Sequence, residues 1–207
     1  MKVEKVLRAI SHTKDAKKSY SGKGFYAGYH SLDLRGKLYK GQRDNSMRLS
    51  KVGFDFKDKT VLDIGCNVGG ILHELAPVIR YGVGMDYNYD CVNAANLIRD
   101  YNGTHNINFY KFNLNTQDLS EIMDFVLLDK IDICFFLSMI KWVDRWVEII
   151  EFSKSISDNL LVELNGSDQD AQEKIIRGIY SNVTLVYNKS LDDPGQHNRR
   201  LLFCNGL

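Results

Sequence analysis

From residue 60 onward, short runs of β-branched and aromatic residues alternate with stretches in which apolar positions recur three and four apart. A strand covered on both faces reads as a continuous apolar run, and the helix that covers it shows one apolar stripe, so this alternation predicts βαβ units and a mostly parallel sheet. TVLDIG (60–65) reads as the first strand, with Ile71, Leu72, Leu75 and Ala76 on one face of the helix after it. YGVGMD (81–86) reads as the second, followed by a helix marked by Val92, Ala95 and Ile98 that stops at Gly103. INFYKFNL (107–114) is the third strand. IDICFFLS (131–138), almost wholly apolar, is the expected central strand, and it leads to a helix marked by Trp142, Trp146, Ile149, Ile150 and Ser153, with Trp142 placed in the core. NLLVELN (159–165), a helix over SDQDAQEKIIRGIY, VTLVYN (183–188) and RRLLFCN (199–205) complete an α/β pattern of seven strands. Only about ten residues separate the last two strands, too few for a parallel crossover, so they are expected as an antiparallel hairpin.

Before residue 53 the pattern weakens. YSGKGFYAGYHSLDLRGKLYKGQRD (20–44) is rich in Gly, Tyr and basic residues with little periodicity, and reads as a loop-rich arm after one short helix. The expected organisation is a basic arm or lid over 1–52 and a ligand-binding domain over 53–207. Charge sharpens this division: the net charge of +1 hides 13 Lys/Arg against 4 Asp/Glu in residues 1–52, and 14 against 22 in the rest. Either the arm meets an anionic partner such as phosphate, nucleotide or RNA, or it lies on the acidic body. The longest apolar run, 131–140, contains Asp132 and is far shorter than the roughly 20 residues of a membrane span, and the N-terminus lacks a signal-peptide pattern, so a cytoplasmic protein is expected. Cys66, Cys91, Cys134 and Cys204 form no CxxC pair, which argues for free thiols and against a zinc site.

The stretch VLDIGCNVGG (61–70) carries the chemistry. A strand that ends in a glycine turn brings main-chain N–H groups close to a ligand, and an acid about 20 positions on, here Asp86, suits ribose hydroxyls. Gly65, Asn67, Gly69 and Gly70 lack one glycine of the dinucleotide pattern, which weakens a dehydrogenase reading.

These residues resemble the first motif, VLDIGCGxG, of class I S-adenosylmethionine-dependent methyltransferases, over residues 60–205. The resemblance implies a Rossmann-like fold with a mostly parallel seven-stranded sheet, an antiparallel last strand, helices on both faces, and S-adenosyl-L-methionine as cofactor. It implies that Asp63 and the turn of Gly65, Cys66, Asn67 and Gly69 face the methionine part. Asp86 would hold the ribose and Asn113 would face the adenine amine, with Tyr87, Leu114 and Ser138 also among the cofactor-binding residues. The family more often has Asp at the position of Asn113. Simpler roles compete: Asp63 as a cap of local N–H groups, Asp86 as a turn residue, Asn113 as a strand-edge Asn.

Two shorter resemblances concern the acceptor. GCNVG, LSMIKWV (137–143) and LYKGQRDNSMRL (38–49) are similar to RNA 5′-phosphate capping methyltransferases, and GYHSLDLRGKLYKGQRDNSMRL (28–49) resembles the lead-in of small bacterial relatives of the tRNA wobble-uridine carboxymethyl-transfer enzymes. The proline-containing motif of base N-methyltransferases is missing from SMIKW (138–142), so an oxygen nucleophile of a small molecule, sugar or glycan precursor is expected, with RNA as the alternative and a non-catalytic cofactor-binding partner subunit as a further one. A hydroxyl needs a general base, whereas an ionised carboxylate or phosphate needs positioning and counter-charge. His30 and Glu163 are the candidate bases, with His197 next; a Tyr-rich loop equally suits a structural His, and Glu163 equally suits a backbone cap. Lys141 either meets an anionic substrate or points to water. Gln42 and Arg43 lie in the arm, and Arg43 is the expected partner of the cofactor carboxylate because its planar fork donates twice. No metal is expected, Glu163, Asp192 and Asp193 being the only acids that could combine.

Overall fold

The computed structural model describes residues 1–13, 25–190, 192–193 and 198–206. Among the described residues, nine strands and six α-helices follow in chain order. Helix α1 (Val3–His12), the hairpin β1 (Leu32–Leu34) and β2 (Lys37–Tyr39), and helix α2 (Asn45–Leu49) precede the alternating part. That part runs β3 (Thr60–Ile64), α3 (Gly70–Leu75), β4 (Tyr81–Asp86), α4 (Tyr89–Asn102), β5 (Ile107–Lys111), β6 (Ile133–Leu137), α5 (Trp146–Ile156), β7 (Asn159–Glu163), α6 (Gln169–Ile179), β8 (Asn182–Tyr187) and β9 (Leu201–Asn205).

Strands β3 to β9 form one sheet in the order β5-β4-β3-β6-β7-β9-β8. The first five of these are parallel, and β9 lies antiparallel between β7 and β8. The chain winds outward from β3 through β4 to β5, then returns to lay β6 on the other side of β3, so a crevice opens at the carboxyl ends of β3 and β6 where the winding reverses.

Period-two alternation explains why the central strands are apolar throughout. Leu62, Ile64, Cys134 and Phe136 face one way, into a layer with Ile149 and Ile150 of α5 and Ile176 of α6. Val61, Ile133, Phe135 and Leu137 face the other way, against Ile71, Leu72 and Leu75 of α3 and Ala95 of α4. Helix α4 is buried on a second side, where Ala94 and Ile98 meet Val6, Ala9 and Ile10 of α1. Ten residues are marginal as a free helix, so α1 owes its order to this contact, at about 1.5–3 kcal/mol for each large aliphatic side chain buried.

Two expectations are corrected. The segment before residue 45 contains a hairpin as well as loop: its turn uses Arg35 (φ 54°) and Gly36 (φ 83°), both left-handed as a two-residue hairpin turn requires. Arg35 tolerates that geometry because its Nε donates to Tyr101 O at 2.7 Å and its guanidinium lies over the Tyr101 ring. Trp142 is not in the core; it sits in a 3-10 turn (Ile140–Trp142) ahead of α5 and is 64% exposed. The apolar stripe of α5 is complete with Ile149, Ile150 and Ser153 alone. All four cysteines are free and buried. Among the described residues no helix is long and apolar enough to cross a membrane.

Candidate functional site

The turn after β3 contains three left-handed residues, Gly65 (φ 86°), Asn67 (φ 53°) and Gly69 (φ 72°). A Cβ on Gly65 would lie 2.5 Å from the Met139 sulfur, and one on Gly69 would lie 2.3 Å from the Phe109 ring, so space as well as backbone geometry demands glycine. The N–H groups of Gly65 and Cys66 both donate to Met85 O, at 2.8 and 2.9 Å. Asp86, one residue on, accepts from Asn67 N–H at 2.9 Å and from Asn88 N–H at 2.8 Å. The second strand's acid thus holds the first strand's turn in shape. Tyr87 beside it is exposed.

Asp63, the residue before the last of β3, is buried; burial pushes its carboxyl up to about 7, Arg48 opposes the rise, and Asp86 adds to it. Cys66 is buried, which pushes its thiol well up. Asn113 accepts Asn115 N–H at 3.0 Å and its own N–H donates to Gln117 Oε1 at 2.8 Å, while Leu114 is buried. Ser138 follows β6 with φ 61°, a rare conformation for a residue with a side chain, and its N–H donates to Glu163 O at 3.0 Å.

Beyond Ser138 lies a buried charge cluster. Arg43 donates from Nη1 and Nη2 to the two oxygens of Glu163, at 3.0 and 2.8 Å, and from Nε and Nη2 to the two oxygens of Asp192, at 2.7 and 2.9 Å. Glu163 also accepts from Tyr187 OH at 2.8 Å and from Ser138 Oγ. Arg199 donates to Ser138 Oγ at 2.9 Å and to Tyr29 OH at 2.7 Å, with Asp193 3.6 Å away. Gln42 donates to Asp193 at 2.9 Å. Burial alone would raise Glu163; Arg48, Arg43 and Ser138 together drive it far below the ordinary carboxylate range. It is a permanently ionised counter-ion with its oxygens engaged, and so a poor proton acceptor.

Arg48 differs from its neighbours. It is 2% exposed, and its Nε stands 3.5 Å from Asp192 and 3.9 Å from Glu163, yet Nε and Nη2 make no hydrogen bond. Its helix, α2, packs on α3, which begins at Gly70 directly after the glycine turn, and its charge lowers both Asp63 and His30. His30 is buried over Gly70 and pairs through Nδ1 with Asn45 Oδ1 at 2.9 Å. Because Asn45 Oδ1 can only accept, Nδ1 carries the proton and Nε2 is the acceptor. Burial and Arg48 lower His30 to about 3, so it is neutral at pH 7.

The structure therefore brings Asp63, the turn and Asp86 together at adjacent strand ends, sets His30 against that turn, and pairs Arg43 with Glu163 instead of leaving either open. His197 lies outside the described residues. Among the described residues no group of three His, Cys, Asp or Glu side chains is arranged to hold a metal ion. Arg48, Arg199, Tyr29 and Tyr187 were not singled out from sequence; their only signal was that arginines and tyrosines recur in the arm and the last hairpin. Of the arm's cations, Arg43 and Arg48 face acids of the main body.

No protein-family model matches this sequence, and no curated protein matches it. The fold is similar to that of the N-terminal domain of EvdMO1 solved in the presence of SAH and D-fucose, with TM-score 0.69 and 12% identity over 100% of this chain and 98% of that one. The bifunctional kinase-methyltransferase WbdD matches at TM-score 0.68 and 13% identity, over 97% of this chain and 46% of that one. A SAM-dependent methyltransferase from Aquifex aeolicus matches at TM-score 0.59 and 14% identity, over 80% and 91%. The fold is the Rossmann-like one of class I methyltransferases, including the antiparallel last strand.

Proposed function

We propose that the protein is an S-adenosylmethionine-dependent methyltransferase acting on an oxygen of a small sugar-type acceptor. The observation that carries this reading is the glycine turn, braced by Asp86 and bordered by a buried arginine with unused donors. A buried, charged, unpaired N–H costs roughly 1–3 kcal/mol or more, so Arg48 fits a site built to receive an anion. The cofactor's methionine carboxylate is such an anion. The groups present thus suit the cofactor: Arg48 for its carboxylate, Asp63 and the turn for its amino-acid part, Asp86 for its ribose, Asn113 for its adenine. When bound, it supplies an electrophilic methyl group that passes to a nucleophilic oxygen while the C–S electron pair stays on sulfur.

The remaining residues position and exclude. In this reading residues 1–52 act as a lid, clamped by Arg43 on Glu163 and Asp192, which keeps water from the crevice. Glu163 serves as the counter-ion of that clamp. His30 offers a neutral Nε2 beside the turn; burial makes it a weak base, able to take the acceptor's proton only once methyl transfer is under way and the O–H has become acidic. The D-fucose present with EvdMO1 makes hexoses the first acceptors to test.

Calorimetry with S-adenosylmethionine and S-adenosylhomocysteine tests the cofactor half. Release of S-adenosylhomocysteine dependent on an added hexose or hexose derivative tests the acceptor half. Saturable cofactor binding without product from any acceptor would leave a binding module, and no binding at all would end the proposal.

A further inference from the structure

Arg43 and Arg199 each aim a guanidinium N–H at the Tyr29 hydroxyl, at 3.0 and 2.7 Å. With two donors on its oxygen, the hydroxyl has its own hydrogen left for a third direction. Among the described residues nothing accepts that hydrogen. The side chain is half-buried, so Tyr29 presents a fixed donor on a partly open surface.

That surface belongs to the crevice. Arg199 Nη1 also donates to Ser138 Oγ at 2.9 Å, so one nitrogen ties the Tyr29 hydroxyl to the residue that follows β6. Met139, next along, packs on Gly65 at the start of the glycine turn. His30, the neighbour of Tyr29, lies over Gly70 at the other end of that turn, and the two rings meet edge to face with their centres 4.9 Å apart. Tyr29 therefore stands where the glycine turn and the end of β6 face each other.

The charges around it are matched within the protein. Arg43, Arg48 and Arg199 are buried together with Glu163, Asp192 and Asp193. Arg43 bonds Glu163 and Asp192, Arg199 stands 3.7 Å from Glu163 and 3.6 Å from Asp193, and Arg48 lies 3.5 Å from Asp192. Lys141, the cation that follows β6, has its ammonium 4.4 Å from the centre of the Trp142 ring. The facing wall brings acids, Asp63 and Asp86. Arg48 keeps donors without a hydrogen bond, and in the reading above the cofactor's carboxylate takes them. Among the described residues no other cation at this end of β6 and β7 is left for an ionised acceptor, and an unmatched buried charge costs more than an uncharged hydroxyl that finds a donor.

Resting on the methyltransferase reading, we propose that the acceptor presents an uncharged sugar ring, not a phosphate or carboxylate, and that the Tyr29 hydroxyl orients it by donating to an oxygen next to the one methylated. Donation to the neighbouring oxygen leaves the lone pairs of the reacting oxygen for the methyl group. D-Fucose, D-galactose, D-galacturonate and D-galactose 6-phosphate, which differ only at the sixth carbon, test the charge. Each is added with S-adenosylmethionine to follow release of S-adenosylhomocysteine, and titrated into the full chain loaded with S-adenosylhomocysteine. The two neutral sugars are expected to bind and react, and the two anions to do so at least about tenfold less well. Tyr29→Phe keeps the ring against His30 and removes the donor; it should raise the KM for the neutral sugars about three- to tenfold with S-adenosylhomocysteine affinity unchanged. A lower melting temperature with an unchanged KM would make the hydroxyl structural and overturn the proposal. Preference for either anion overturns it too, as does weakened S-adenosylhomocysteine binding in Tyr29→Phe, or a loaded protein that binds neither neutral sugar. A chain that binds no S-adenosylhomocysteine removes the methyltransferase reading itself.

Discussion

Arg43 and Glu163 form a two-pronged ion pair in which neither side chain is exposed to solvent at all. They are 120 residues apart in sequence, one in the arm and one at the end of a central strand. Breaking such a pair strands a charge in a low-dielectric interior. Arg43→Ala and Glu163→Ala are each expected to lower stability by about 3–5 kcal/mol, whereas Arg43→Met combined with Glu163→Leu should cost less than either. Urea denaturation of the three variants measures this. Single variants as stable as the parent would mean that the cluster does not hold the arm down.

Cofactor affinity separates Arg48 from Arg43. Arg48→Gln removes the unpaired donors and should weaken S-adenosylhomocysteine binding about tenfold or more, by the roughly 1.5–3 kcal/mol of a charge-assisted hydrogen bond. Arg43→Lys should cost stability first, since lysine cannot reproduce the fork, with any affinity loss following from a loosened arm. Titration calorimetry on folded samples decides; the reverse ranking would return the carboxylate to Arg43.

Asp86→Ala removes a carboxylate that holds the Asn67 amide in place, as well as any bond to a ribose. Affinity for S-adenosylhomocysteine should fall about tenfold or more while the fold survives. Methylthioadenosine, which has the ribose but no amino acid, provides the check. It should lose affinity in Asp86→Ala and keep it in Arg48→Gln, and equal losses in both would contradict the division of labour.

The glycines offer a paired test. Gly69 and Gly36 are both left-handed, but a Cβ on Gly69 would strike the Phe109 ring while one on Gly36 would meet nothing within 4 Å. Gly36→Ala should cost only the backbone strain, about 1–2 kcal/mol. Gly69→Ala should cost that plus repacking of Phe109, and should abolish cofactor binding. Melting temperatures and calorimetry report the two effects, and equal costs would mean that the Phe109 ring yields freely beside the turn.

Acid sensitivity follows from the buried histidines. His30 and His73 fall from 6.5 to about 3 through burial, so between those values the unfolded chain binds protons that the folded one does not. Their contribution is complete above about pH 6.5 and is lost progressively as the pH falls toward 3. Asp63 works the other way: with its folded value near 7 against 3.8, its contribution declines as pH rises across that interval. His73→Leu should therefore flatten the stability profile between pH 3 and 6.5. Denaturation midpoints measured through that window would show it, and parallel profiles would refute the assignment.

The order of strands and helices from residue 60, the antiparallel hairpin at the end and the glycine turn were legible in sequence because each depends on local chemistry. Apolar continuity in ICFFL (133–137), the stripe at Ile149 and Ile150, and the spacing of Gly65, Gly69 and Asp86 act over a few residues or one βαβ unit. The destination of a lone polar side chain is not local. Periodicity could not show that Arg43 would meet Glu163 and Asp192, because their proximity exists only after the sheet order places the ends of β7 and β8 beside the arm. Nor could it show that Arg48 would be buried with donors to spare, or that Trp142 would stand outside the stripe whose spacing it matched. A short-range pattern determines which elements form and which face each buries. Which charges share a low-dielectric interior, and hence which carboxylates remain ionised and which arginine keeps donors without a hydrogen-bond partner, was decided only by the packing of distant segments.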